Sequence, residues 1–411
     1  MRSVPSLLLI WTLPILLATG VHADPLRLSA DEVVARAIAT NLELRASRKD
    51  VNVAEAGLER SRSLLPGNPL VTAGAQHADG FAPNYSFSVS QEFEIAGQRS
   101  ARMNAAQQEV EKATWDVKTA ERTLAATAKT AFIHALISIE RVTAAQQGVD
   151  ATTELLHIHE QDKATSDVQR IERNQARIQA ARDRRTLSWA EHGRESAFTA
   201  LRGLLGLPID QAIVLTGAPQ TEVRPLPSDA ALITRALDRR SDLIALRHSV
   251  EHADLQLALV RREGIPNVTL SGNYGRFEAD TFGGGDVTVP IPIFQRKAPE
   301  VHEALAEYER TNLQVQNLER SIAREVLEAR QTCTTTGIDL QMQQQQIVPL
   351  SEENLEIERR LYDRGAVDTS DVIGLQIDLL TARHEYLDAL EAYNTALIEL
   401  ERVSGGNLSG D

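Results

Sequence analysis

Asn84-Tyr85-Ser86-Phe87-Ser88-Val89-Ser90-Gln91-Glu92-Phe93-Glu94-Ile95-Ala96-Gly97-Gln98-Arg99 joins two kinds of chain. From Tyr85 to Val89, aromatic or aliphatic side chains alternate with serine, the period of a strand with two unlike faces. Beyond Ala96-Gly97 the period becomes helical. Ala106, Val110, Ala113, Val117, Ala120 and Leu124 fall at steps of four and three, and the seam shifts by one at Ala128, Ala131 and Ala135. That is coiled-coil spacing with one discontinuity. No proline occurs from Asn84 to Leu207, and no glycine between Gln98 and Gln147, so nothing stops the helix. From Arg99 to Gln161 it would run ~95 Å, about three bilayer cores, too long for a membrane span.

Working outward, the same unit is written twice. Ala37-Ile38 precedes Asn41-Leu42-Glu43-Leu44, Arg48, Val51, Ala54 and Leu58, and at one constant offset Ala236-Leu237 precedes Arg240-Ser241-Asp242-Leu243, Arg247, Val250, Ala253 and Leu257. Pro69-Leu70-Val71-Thr72 answers Pro266-Asn267-Val268-Thr269, and Val89, Phe93 and Ile95 answer Val287, Ile291 and Ile293. Ser166-Asp167-Val168 answers Ser370-Asp371-Val372. Kept order across the chain points to duplication. Each unit reads as a helix, two strands, a very long helix, a break and a shorter helix. The second long helix, Pro299 to Tyr362, carries Pro349 and should kink there. The shorter helices, about 30–63 and 168–203, sum to roughly one long helix and fit end to end beside it.

The expected organisation is a signal peptide over residues 1–23, a first repeat over 24–203, a linker over 204–230, a second repeat over 231–403 and a flexible tail over 404–411. Arg2, the apolar run Val4 to Leu17 and Val21-His22-Ala23 make the secretory signal. The linker is marked by Pro208, Pro219, Pro225 and Pro227. Cys333 is the one cysteine, so no intrachain disulfide or thiolate metal site is available. A net charge of -14 argues against nucleic acid as a partner and allows passage or attraction of cations, although an acidic solvated surface would read the same. No glycine-rich phosphate loop, G-x-S-x-G or H-E-x-x-H occurs, so an enzyme is not expected.

Six of the eight phenylalanines fall in the strand windows, about 68–95 and 267–294. Phe81, Tyr85, Phe87, Tyr274, Phe277 and Phe282 are candidate barrel aromatics at a membrane interface; a small soluble sheet would use them too. Two strand pairs give four strands per chain, each long enough to cross an outer membrane when tilted. A sheet in lipid must close, and four strands cannot close around a usable hole. Two chains would leave a filled interior, so three, giving twelve strands, is the smallest number that leaves a channel.

The order of elements, the duplication, the stretch Gln91 to Arg99 with Ala101-Arg102, and Tyr362-Asp363-Arg364-Gly365 followed by Asp371-Val372 resemble the TolC family of outer membrane factors. The resemblance covers essentially the whole mature chain. It implies a mainly α fold with a membrane β-barrel: a homotrimer whose twelve-stranded barrel continues into a periplasmic α-helical barrel, girdled near residues 204–230. It implies residence in the outer membrane of a Gram-negative bacterium, contact with outer-membrane lipid, and no catalysis. It also implies a periplasmic adaptor and a proton-driven inner-membrane transporter as partners, for efflux of heavy-metal cations or drugs. A type I protein-secretion outlet and a soluble periplasmic coiled-coil scaffold are the alternatives. Gln98-Arg99 after Ala96-Gly97, and Ile347 to Glu352, look similar to the branch serving heavy-metal efflux.

By that resemblance the periplasmic tip and gate comprise Tyr362, Gly365, Asp368 and Asp371, with Asp162 and Asp167 at the corresponding turn of the first half. Asp371, with Asp368, would narrow the entrance as an acidic ring, or Asp371 caps a helix beginning at Val372. Tyr362 would hold neighbouring helices shut, or simply pack at a helix end. No cofactor or metal site is expected: His157 and His159 point to different sides of a helix, and His248 and His252 at i,i+4 are more often packed than ligating.

Overall fold

The computed structural model describes residues 25–77, 79, 83–161, 166–277, 280–294 and 296–406. The expected signal peptide, Phe81, Asp162 and the tail from residue 407 lie outside the described residues. The first repeat holds β1 (Leu26–Leu28), α1 (Ala30–Thr40), α2 (Leu42–Ser61), β2 (Leu70–Gln76), β3 (Asn84–Phe93), α3 (Gln98–Gln161) and α4 (Asp167–Leu204). After β4 (Ile213–Leu215) come α5 (Asp229–Arg239), α6 (Ser241–Glu263), β5 (Val268–Phe277), β6 (Asp280–Thr288), α7 (Ala298–Met342), a π-turn (Gln343–Ile347), α8 (Val348–Asp363) and α9 (Thr369–Val403).

The unbroken 64-residue α3 is the spine of the first half, flanked by α2 and α4. In the second half α6 and α9 lie along α7, and both also touch α3, so the halves form one rod. The duplication is visible atom by atom. Arg48 of α2 pairs with Glu121 of α3 at 2.8 Å, and Arg247 of α6 pairs with Glu319 of α7 at 3.0 Å. The helix read as one element over 30–63 is divided at Asn41, whose extended backbone (φ -63°, ψ 125°) ends α1 while its side chain accepts the Leu44 amide and starts α2. Arg240 breaks α5 from α6 with nearly the same dihedrals, -71° and 120°.

Pro349 acts differently from a simple kink. Lacking an N–H and crowding the carbonyl one turn back, it cannot continue an α-helix. The chain widens just ahead of it into the π-turn, where the Val348 amide reaches back to the Gln343 carbonyl, and α8 restarts with proline in its first turn.

The main core lies midway along the rod, where Phe132 and Ile137 of α3, Leu201 of α4, Leu232 and Leu243, Val326 and Leu340 of α7 and Tyr393 of α9 meet. The proline-rich linker clasps this level. Asn394 receives the Gln220 amide at 2.8 Å and returns a bond to its carbonyl, the Tyr393 hydroxyl accepts the Arg224 amide, and Val223 lies so close to α7 that Gly337 leaves no room for a Cβ. The short parallel pair β1–β4 ties the start of the first repeat to the linker.

Candidate functional site

At one end of the rod stands a four-stranded antiparallel sheet in the order β2-β3-β5-β6. Its register sorts most side chains by character, because directly opposed residues share a face. Val71, Ala73, Ala75, Tyr85, Phe87, Val89, Leu270, Tyr274 and Val287 lie on one face, with Gln91, Arg276 and Thr281 as its polar exceptions, and Leu70 is the aliphatic exception on the opposite face. Thr72, Gln76, Ser86, Ser88, Ser90, Glu92, Thr269, Ser271, Asn273, Asp286 and Thr288 lie on the other. Neither face is covered: every residue of β2 and β6 is exposed, and Phe87 and Tyr274 are 46 % and 54 % exposed. An uncovered face of this composition is the pattern of a strand surface that meets lipid. Ten-residue strands such as β3 and β5 extend about 34 Å, enough to cross an outer membrane when tilted about 40°. Beyond β2 and β6 the ladder has no further partner among the described residues.

The candidate aromatics divide between the faces. Tyr85, Phe87 and Tyr274 are on the apolar face, whereas Phe277 and Phe282 are on the polar one, opposite Asp280 and Gly275 respectively. The parity of β6 carried that signal in the sequence, since Phe282 is in step with Asp280, Asp286 and Thr288.

At the far end of the helices, α8 stops at Asp363 and the chain turns on Gly365 (φ 72°), with the Gly365 amide donating to the Tyr362 carbonyl and the Ala366 amide to that of Leu361. These are the paired bonds of a Schellman stop, and the left-handed backbone favours glycine. The next helix begins earlier than Val372. Asp368 is the N-cap, accepting the amides of Ser370 (2.9 Å) and Asp371 (3.3 Å), while Asp371 returns a bond to the Asp368 amide. Asp371 is therefore the back half of a capping box, and its carboxylate is exposed. Its bonds with Ser370 first, then with the neighbouring amides, hold the Asp368 carboxyl below the usual carboxylate range. The first-half tip is built alike, with Ser166 as N-cap boxed by Gln169. In capping role Ser166 thus corresponds to Asp368, two residues before the Ser370 suggested by sequence. Asp167 is exposed and pairs with Arg170 at 3.2 Å. Tyr362 is half-buried, packed with Leu375 against a small cluster of Leu355, Val372 and Leu379 between α8 and α9.

Sequence reading missed two charged constellations. Arg240, 7 % exposed, bonds Asp242 and Glu325 at 2.6 Å each, tying the α5–α6 break to α7. On α3, His134 bonds Glu391 of α9 through Nδ1, and Arg141 pairs with Asp388 and Glu391 at 2.5 Å. The hydrogen bond that His134 donates to Glu391 raises the His134 pKa despite partial burial. The seven-residue step from His134 to Arg141, off the apolar seam, was the available clue. His248 and His252 tie α6 to α3, the first through Gln108 and the second by donating to the Ala105 carbonyl, both at 2.8 Å.

The model of the family described as outer membrane efflux protein matches this chain twice, over residues 33–207 and 232–406. The chain is an outer membrane efflux protein. Like the family, it is a transport component of the outer membrane with a TolC-like fold. Among curated outer membrane efflux relatives, the cobalt-zinc-cadmium resistance protein CzcC of Cupriavidus metallidurans is 25 % identical over 399 residues, covering 93 % of this chain and 91 % of its own. The pyoverdine export outer membrane protein OpmQ of Pseudomonas putida is 24 % identical over 368 residues, covering 86 % and 78 %. Two solved structures share the fold: CusC, with TM-score 0.79, 17 % identity and 92 % of both chains covered, and the open state of the Neisseria gonorrhoeae MtrE channel, with TM-score 0.78, 18 % identity and coverage of 92 % and 89 %.

Proposed function

We propose that three copies of this efflux protein close their sheets into one twelve-stranded barrel continuous with a helical tunnel, forming the passive exit duct of a tripartite efflux system. The observation that carries this is a membrane-length sheet with one mainly apolar and one mainly polar face and, among the described residues, no ladder partner beyond either edge. Lipid forbids open edges, and joining β6 of one copy to β2 of the next satisfies both while turning the serine-rich face inward. A periplasmic adaptor and a proton-driven inner-membrane transporter supply cargo and energy, since a passive duct does no work itself. Heavy-metal cations are the favoured cargo, supported by the likeness to CzcC along nearly the whole chain and by the net charge of -14. The likeness to OpmQ favours a second reading, export of an organic metal chelator. Asp368 and Asp371, three of each per duct, ring the entrance, and Tyr362 helps hold it closed.

Purified protein cross-linked in mild detergent should run as a trimer and conduct in planar bilayers; a monomer without conductance would overturn the duct. A deletion strain challenged with zinc, cobalt, cadmium, dyes and antibiotics identifies the cargo. Metal sensitivity alone supports the cation reading, and loss of chelator secretion with unchanged metal tolerance supports the second.

A further inference from the structure

Phe277 and Phe282 contradict the logic of the face they occupy. Apart from Leu70 at the end nearest the helices, that face is otherwise hydroxyl, amide, carboxylate and glycine, and among the described strand residues these two are its only aromatics. Both sit at the end of the sheet remote from the helices, where the β5–β6 hairpin turns, so in a closed barrel they mark the outer mouth. The Phe282 ring lies across β5 at Gly275, its Cζ 2.7 Å from where a Cβ would stand, so glycine at 275 makes room for a ring lying against the wall. Asp280 shares the face and directly opposes Phe277, and Asp286, bonded to Asn273, lies further down it. Aromatic faces beside carboxylates suit cations that carry apolar substituents: the ring quadrupole and the acids attract the charge while the ring surface receives the hydrocarbon.

We infer that Phe277 and Phe282, with Asp280, form an aromatic collar inside the outer mouth of the duct that contacts organic cations as they leave. The inference rests on the closed-barrel reading, since it needs the polar face to be the lumen. Twelve strands spaced about 4.8 Å apart and tilted about 40° enclose a backbone radius of about 12 Å. Six rings at that radius line a substantial part of the circumference, and inorganic ions pass them in their hydration shells.

The test uses tetrabutylammonium as blocker of the full-length protein reconstituted in planar bilayers with potassium chloride. Wild-type channels should be blocked from the outer side, and the double variant Phe277→Ala/Phe282→Ala should need about tenfold more blocker while its potassium chloride conductance holds or rises. Phe282→Leu, which keeps the apolar bulk and removes the ring face, should weaken block by a smaller factor and separates π contact from simple narrowing. Heat-dependent mobility on gels verifies that each variant barrel is folded. Normal conductance with unchanged block in the double variant overturns the collar and leaves the duct standing. Absence of conductance in the wild type overturns the duct and the collar with it.

Discussion

Asp368 and Asp371 form a helix cap, and the proposed duct would use the same pair as charges at its entrance. The capping box fixes the first turn of α9, and both acids remain exposed where the proposed duct begins. Asp368→Ala should speed amide exchange over residues 369–372 several-fold without altering exchange in the mid-rod core, read by hydrogen–deuterium exchange. Because the Asp368 carboxyl lies below its unfolded value of about 3.9, the cap should be intact above that pH and fail as pH falls through the lower folded value. Asp371→Asn retains an acceptor for the box but removes charge, and should lower cation over anion selectivity in bilayers; unaltered selectivity would leave Asp371 as a capping residue alone. His134 follows the opposite sign. Its pKa is raised by Glu391, so its contribution is complete below about pH 6.5 and is lost as pH rises through the higher folded value. Protection across the α3–α9 contact, taken relative to the intrinsic exchange rate at each pH, should therefore fall from pH 6 to pH 8 in the wild type and show no such step in His134→Gln.

At the scale of elements, two irregularities hold the rod in register. The α5–α6 break is clamped by Arg240. Burial alone would raise the Asp242 pKa, but the bonds and charge of Arg240 outweigh it and hold the carboxyl below its usual range. Arg240→Ala strands two carboxylates that are each about one third exposed, and should cost about 1–2 kcal/mol, seen as a lower thermal unfolding midpoint. The π-turn carries one residue more than an α-turn would, which keeps Gln343 facing Glu385 while α8 stays aligned with α9. Deleting exposed Gln345 together with Pro349→Ala should convert the segment to regular α-helix and leave trimer yield unchanged. Deleting Ala329, buried in the core with no π-turn to absorb the slip, should abolish assembly on the same gel assay.

For the whole molecule, acidity and shape act together. A net charge of -14 on a tunnel-forming chain predicts cation preference that weakens as salt rises, because fields from exposed charges are screened within about 10 Å at 0.1 M. Reversal potentials measured at 0.1 M and 1 M should show the preference falling. A preference independent of salt would place the selectivity in a narrow, desolvated ring instead.

The alternation around Tyr85 to Val89, the alanine seam of α3 and the doubled order of motifs were legible in the sequence because strand and helix periods are local properties of side-chain spacing. The proposed sharing of strands among copies rests on the same kind of local reading, a count of four strands per chain. Which residue caps α9, why Pro349 gives a π-turn, and how His134 reaches Glu391 are decided by hydrogen bonds whose partners are set by three-dimensional position. The same holds for the faces. Sequence parity set Phe282 in step with Asp280 and Asp286 within its own strand, but only the pairing of Gly275 with Phe282 joined that side to the serine side of β3 and β5, because a one-residue change of register moves every side chain of a strand to the opposite face.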